Sequence, residues 1–275
     1  MCLELGRART HELSFIHYGY GMNDGEVRFA VGPVLVSAVT FRTALTDVLG
    51  ARDAGRRLTV HFCSAHTVVE ASKSARLLGA LERAELVAPD GMPLVWLGRA
   101  QGRRVERVCG PDFMLSLMDE GRTRGYRHYL YGGAPGVAER LAERMAERFP
   151  GVRVVGIDVP PFRALSPAED AAAVEAINES QADCVWIGLG SPKQDFWVAD
   201  HRQQLSAAAV LAVGAAFDFH AGTKRRAPRW MQRTGTEWLF RLVSEPRRLW
   251  RRYTVINVQF VGLVLRHALR RDPGT

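Results

Sequence analysis

Cys184-Val-Trp-Ile-Gly-Leu-Gly-Ser-Pro-Lys-Gln-Asp195 decides the fold of this chain. Cys184 to Gly188 is a short, continuously apolar run, the pattern of a strand buried on both faces. Two glycines follow within three residues, then a proline that suits the first turn of a helix. This is a strand, a tight turn and a helix start, the repeating unit of a parallel α/β sheet.

The same unit recurs on both sides. Upstream, His128-Tyr-Leu-Tyr131 leads into Gly132-Gly133-Ala134-Pro135-Gly136 and a helical pattern to Phe149. Val152 to Ile157 reads as another strand, and downstream Val210-Leu-Ala-Val-Gly214 as the last. Toward the N-terminus come strands at Val34-Leu-Val-Ser37, Leu58-Thr-Val-His-Phe62 and Leu86-Val-Ala88. Thr40 can cap a helix running to about Ala54, and one long amphipathic stretch runs from His66 to about Ala84. The expected fold is α/β: a Rossmann-like, mostly parallel sheet flanked by helices, with a basic helical C-terminal appendage. Residues 1–28 read as a loosely ordered leader, 29–221 as the core and 222–275 as the appendage.

Charge separates core from appendage. The chain of 275 residues carries a formal +8. From Gly222 onward there are thirteen Lys/Arg against three Asp/Glu, a net +10, so the remainder sums to −2. Arginines there alternate with Trp230, Trp238, Phe240, Trp250 and Tyr253. Such a segment could meet nucleic acid, an anionic membrane surface or a phosphorylated ligand, or simply pack on the core with its arginines solvated. An apolar tail could also pack against a second copy, giving a homo-oligomer. No signal-peptide core and no run of about 18 apolar residues is seen. The four cysteines form no CxxC pair, which favours small buried thiols.

Several residues could carry chemistry. In doubly wound sheets ligands bind at the carboxyl ends of the strands. Gly132, Gly133 and Gly136, and again Gly188 and Gly190, would let a phosphate approach backbone N–H groups beside a helix N-terminus. Each loop alone is equally a plain turn. Lys193 and Gln194 are expected to project from the helix start toward the same edge. Asp90, after a strand, could take a proton from an attacking hydroxyl, or could merely cap its Pro-Asp-Gly turn. The run Arg103, Arg104, Arg107 is a solvated face or a diphosphate clamp. The histidines show no metal-ligand spacing and no Asp-x-Asp stands at a strand end, so no metal and no cofactor are expected. The glycine spacing is not GxGxxG, which counts against an oxidoreductase, the first rival reading; a nucleic-acid-binding module using the basic tail is the second.

Taken in order, the motifs resemble the WecG/TagA/CpsF family of glycosyltransferases. The blocks are Ser64-Ala-His-Thr-Val-Val-Glu-Ala71, Ala88-Pro-Asp-Gly91, Arg107-Val-Cys-Gly-Pro-Asp112 and Tyr131-Gly-Gly-Ala-Pro-Gly-Val-Ala-Glu139. They continue with Ile187 to Asp195, Val213-Gly-Ala-Ala-Phe-Asp-Phe219, Arg226-Ala-Pro-Arg-Trp230 and Glu237 to Pro246. The resemblance covers about residues 32 to 255. It implies an inverting transferase moving a sugar from a UDP-sugar donor, of N-acetylmannosamine type or a related hexose, to a polyprenyl-diphosphate-linked acceptor in cell-surface polysaccharide synthesis. It implies Asp90 as the base and Gln194 in the pocket. It matches Arg241, Arg248 and Arg251 to the family's appendage arginines, whose seven-then-three spacing puts them on one helical face. Ser64 stands where many relatives carry asparagine, with shorter reach and no amide donors. The resemblance places the enzyme in the cytoplasm, peripheral on the inner face of the plasma membrane, with no nucleic-acid partner.

Overall fold

The computed structural model describes residues 27–244 and 246–271, without the side chains of 241, 244, 246–254, 270 and 271. Residues 1–26, most of the expected leader, therefore lie outside the described residues. Arg28, the leader's last expected residue, instead opens a strand. An antiparallel hairpin of β1 (Arg28–Val31) and β2 (Val34–Ser37) comes first. Then follow α1 (Phe41–Ala51), β3 (Leu58–Cys63), α2 (Ala65–Ala71), α3 (Ala75–Glu82), β4 (Leu86–Pro89), α4 (Met92–Ala100) and α5 (Gly110–Arg122). The middle of the chain holds β5 (Arg127–Gly132), α6 (Val137–Arg148), β6 (Arg153–Asp158), α7 (Pro167–Glu179), β7 (Cys184–Gly188), α8 (Lys193–His201) and β8 (Ala209–Ala212). It ends with α9 (Ala216–Ala221), α10 (Arg229–Arg233), α11 (Glu237–Ser244) and α12 (Pro246–Arg271).

Strands β3 to β8 form one parallel sheet in the order β4-β3-β8-β7-β5-β6. The α/β expectation thus holds, with a hairpin added. Strand alternation divides the core. Cys184 and Trp186 of β7 and Leu211 of β8 pack with α1, α5, α6 and α9 on one face. Val185, Ile187 and Val210 pack with α7 and α8 on the other. The expected single helix from His66 to Ala84 is two. Ser72 donates its hydroxyl to the Val69 carbonyl at 2.7 Å, and Ser74 accepts from Leu77 N at 3.2 Å as the cap of α3. Serines that bond to nearby backbone offer the chain a way out of one helix and into the next.

This layout fixes where a ligand can enter. From β5 the chain crosses through α6 to β6 on one side. From β7 it crosses through α8 to β8 on the other, along the opposite face of the sheet. The two connections part between β5 and β7, where Gly132 pairs with Gly188. A crevice opens at such a switch point, at the carboxyl ends of the strands.

The C-terminal helices are joined to the core. Ile256 and Phe260 of α12 are buried in the cluster that holds Val68 and Val69 of α2 and Val34 of β2. On the other side of α12, Val255, Val258, Val261, Leu265 and Leu269 are exposed. Among the described residues no helix is long and apolar enough to cross a membrane. Cys63, Cys109 and Cys184 are buried free thiols; Cys2 lies outside the described residues.

His128 on β5 gives the fold a measurable acid sensitivity. Its side chain is fully buried, its Nδ1 accepts from Trp186 Nε1–H at 3.2 Å, and burial pushes its pKa down to about 3. The unfolded chain binds this proton below about pH 6.5 and the folded chain does not until about 3. Stability from this group is therefore complete above pH 6.5 and is lost as pH falls, by up to about 1.4 kcal/mol per pH unit. The expected result is that His128→Gln narrows the difference in unfolding free energy between pH 7 and pH 5, as read by urea denaturation. An unchanged difference counts against this assignment.

Candidate active site

Asp90 sits one residue past β4. Its N–H donates to the Cys63 carbonyl at 2.8 Å, extending the β3–β4 ladder to the sheet edge. The N-cap of the following helix is Gly91, so Asp90 does not occupy the capping position. Its carboxylate is about a quarter exposed.

A second segment runs beside it. Val108 N–H donates to the Pro89 carbonyl at 2.9 Å, laying residues 105–109 against the end of β4. That brings Arg107 Nη2 to 3.8 Å from Asp90 Oδ1, and to 2.7 Å from Oε2 of Glu237 at the start of α11. The solvated-face reading of Arg103, Arg104 and Arg107 holds for the first two, which are exposed, and fails for Arg107, which is largely buried. Next to it Arg226 grips Asp112 with both Nη atoms, one bond measuring 2.9 Å, while Cys109 Sγ donates to Asp112 at 2.9 Å. Burial alone would raise the Asp112 pKa, but the Arg226 and Cys109 hydrogen bonds hold it below the usual carboxylate range. Burial pushes the thiols of Cys63 and Cys109 far up, so neither is a thiolate nucleophile at neutral pH.

The other expected residues divide. Ser64 follows β3 and caps α2; its Oγ accepts from Thr67 N–H at 3.4 Å and lies 3.2 Å from the Thr67 hydroxyl. Gln194 is buried under the end of β8, where Nε2 donates to the Ala212 carbonyl at 3.0 Å. Its Oε1 makes no hydrogen bond among the described residues and lies under the Gly214 turn. Lys193, one step earlier, points elsewhere. It lines a cavity of about 530 Å³ with Arg76, Tyr131, Phe196 and Trp197, on the α7–α8 face. Gln194 does not line that cavity. Of the glycines, Gly136 and Gly190 have left-handed φ of 78° and open space around them, room for a ligand. Gly132, Gly133 and Gly188 are instead hemmed in by Phe217 and by each other.

Arg241 lies in α11 and Arg248 and Arg251 in α12. Their side chains lie outside the described residues. Among the described residues no group of three His, Cys, Asp or Glu could hold a metal ion.

Sequence reading missed Glu237, Asp112 and Arg226 as site residues, though each lies inside a recognised block. It also missed a buried chain beneath the crevice: Ser191 Oγ donates to Asp195 Oδ2 at 2.6 Å, and His61 Nδ1 lies 2.7 Å from Asp195 Oδ1. That chain braces the β7–α8 loop against β3. The crevice thus sets one carboxylate at the end of β4 across from open backbone turns at Gly136 and Gly190, with a guanidinium between carboxylates. It suits transfer of a group from a phosphorylated leaving group to a hydroxyl.

Comparisons with known proteins agree. A protein of Bacillus spizizenii named N-acetylglucosaminyldiphosphoundecaprenol N-acetyl-beta-D-mannosaminyltransferase is 30% identical over 199 residues, 72% of this chain and 75% of that one. Its namesake from Bacillus subtilis is 27% identical over 173 residues, 62% of this chain and 65% of that one. The profile of the "Glycosyl transferase WecG/TagA/CpsF family" matches residues 29–274, nearly the whole chain, and the chain belongs to that family.

Proposed function

We propose that this chain is an inverting glycosyltransferase of cell-surface polysaccharide synthesis. It takes a UDP-sugar, of N-acetylmannosamine type or a related hexose, and transfers the sugar to a polyprenyl-diphosphate-linked acceptor. The observation that carries the reading is the placement of Asp90. It stands at the strand end nearest one edge of the sheet, about 14 Å (three strand spacings) from the Gly188 switch point. A donor lying along the strand ends would place its diphosphate by the open turns at Gly136 and Gly190 and its sugar toward Asp90. The names of the two relatives support the lipid-linked acceptor and an N-acetylmannosamine-type sugar.

In this reading the acceptor hydroxyl attacks the anomeric carbon from the face opposite the diphosphate, and Asp90 takes its proton. Charge develops on the departing diphosphate, where backbone N–H groups of the two loops receive it. Gln194 and Ser64 border the sugar. Arg241, Arg248 and Arg251 serve a diphosphate, and no metal ion takes part. The apolar outer stripe of α12 and its basic flank rest on the anionic inner face of the plasma membrane; each basic residue near such a surface contributes about 1 kcal/mol.

The test is a transfer assay on a synthetic polyprenyl-diphosphate N-acetylglucosamine against a panel of UDP-sugars, with and without EDTA. Transfer from one of them, unaffected by chelation, is expected. Stabilisation in a thermal-shift assay by NAD but not by UDP would reject the reading.

A further inference from the structure

Gly190 turns the chain from β7 toward α8, with open space where a side chain would stand. Among the described residues the backbone N–H groups of Leu189, Gly190 and Ser191 have no acceptor. Such a row of donors serves an anion best when it is held still, because donors already in place need no rearrangement as charge develops.

A buried link holds this turn. Ser191 Oγ donates to Asp195 Oδ2 at 2.6 Å, and His61 Nδ1 lies 2.7 Å from Asp195 Oδ1. A carboxylate only accepts, so Nδ1 carries the hydrogen. Asp195 and His61 are 3 and 1% exposed, so water does not compete for the bond between them. Strand β8 lies between β7 and β3, so the link passes over one strand and fastens the loop of β7 to β3, two strand spacings or about 10 Å away. Gln194 adds a second attachment. Its Nε2 bonds the carbonyl of Ala212, the register partner of His61. The first turn of α8 is thus fixed to two adjacent strands at one level. Asp90 stands just beyond, its N–H bonded to the carbonyl of Cys63, two residues after His61. The Cys63 thiol, pushed up mainly by burial, is pushed further by Asp195 and Asp90, so the end of β3 lies within electrostatic reach of both carboxylates.

We propose that Asp195 is a positioning residue for the donor: with Ser191 and His61 it holds the Gly190 turn at a fixed distance from Asp90, so that the N–H groups of the turn meet the diphosphate as it leaves. The proposal rests on the reading that this turn receives the diphosphate. The link is more than a brace of the core because its outer end is exposed. Ser191 buries no apolar surface, and what its bond to Asp195 fixes is the turn itself. Asparagine can replace Asp195, since a serine hydroxyl either donates or accepts and one amide can therefore serve both partners. Leucine, of similar size, can serve neither.

The experiment uses the full chain as Ser191→Ala, Asp195→Asn and Asp195→Leu. Affinities for UDP and UMP are measured by calorimetry, so that their ratio isolates the second phosphate. Transfer assays give kcat and the acceptor KM, and thermal unfolding is followed on the same preparations. In Ser191→Ala and Asp195→Leu the preference for UDP over UMP is expected to fall about tenfold, with kcat falling by about as much, because the departing diphosphate loses fixed donors. UMP affinity and acceptor KM should stay within about twofold, and Asp195→Asn should stay near the unmodified chain throughout, since its amide keeps both contacts. Ser191→Ala added to Asp195→Leu should cost little more, because both act through one link. Should Asp195→Leu fail to fold, Ser191→Ala decides alone. A Ser191→Ala chain that keeps its preference for UDP, or loses UMP and UDP affinity together, overturns the proposal and leaves Asp195 a brace of the fold. An unmodified chain that binds UDP no better than UMP removes the diphosphate from this turn, and the proposal with it. A lost preference in a chain that transfers no sugar upholds the positioning role and removes the proposed function instead.

Discussion

Asp90→Asn is expected to lower kcat for sugar transfer by about a thousandfold, within the range that a positioned general base contributes. The amide matches the carboxylate in size but cannot accept a proton, so the acceptor hydroxyl must attack undeprotonated. The fold should tolerate the change. The Asp90 N–H to Cys63 carbonyl bond belongs to the backbone, the cap of α4 is Gly91, and Arg107 keeps its shorter bond to Glu237. Affinity for UDP, measured calorimetrically, should stay within about threefold, because the switch point proposed to hold the nucleotide lies about 14 Å away. Initial rates with a lipid-diphosphate acceptor and calorimetry on the same preparation decide the matter. Turnover near the unmodified level would remove Asp90 from the chemistry; equal losses of rate and UDP affinity would make it a binding residue.

Much of the fold was legible because its signals are local. Buried parallel strands declare themselves as apolar runs, and each was found within two residues of its ends. Where the signal was mixed it failed. Arg28-Phe-Ala-Val31 begins with an arginine placed in the expected leader and is not read as a strand, yet it pairs with Val34–Ser37 and buries Phe29 and Val31. Helices α4 and α5 have no side-chain cap, and only the prolines of their first turns, Pro93 and Pro111, mark their starts. Ser72 and Ser74 fell inside one long amphipathic stretch, although their hydroxyls end one helix and begin the next.

The site was legible in its parts and not in its pairings. Asp90, Arg107 and Gln194 were singled out from turns and charge, but the partner that matters to Arg107 lies 130 residues downstream. Arg226 and Asp112 are 114 residues apart, and His61 and Asp195 are 134. Spacing along one chain says nothing about such contacts; the topology creates them by bringing strand ends to one edge. Lys193 shows the complementary error. It shares a motif with Gln194, yet Lys193 lines the α7–α8 cavity while Gln194 bonds to the end of β8.

The glycines at the switch point turn that topology into a stability prediction. Gly132→Ala is expected to destabilise the chain by about 3 kcal/mol or more, summing backbone strain and overpacking. Gly132 has φ of 115°, and a Cβ there would lie 2.8 Å from the Gly188 carbonyl carbon and 3.0 Å from its oxygen. These are backbone atoms of β7, and that oxygen already accepts from Gly133 N–H at 3.1 Å, so nothing nearby can swing aside. Gly188→Ala meets a different obstacle, the Phe217 ring at 2.8 Å, which is a side chain. The two variants should therefore respond differently to Phe217→Leu. With Gly188→Ala it should recover at least about 1 kcal/mol relative to the sum of the single changes, whereas with Gly132→Ala the effects should add. Thermal unfolding reads the first expectation as a drop of roughly 10 °C for Gly132→Ala, and a double-mutant cycle in urea reads the second. Gly132→Ala unfolding within about 2 °C of the unmodified chain would mean that β5 and β7 part more easily than their register implies. The crevice between them would then be a yielding seam, and the open turns at Gly136 and Gly190 could not hold a diphosphate in line with Asp90.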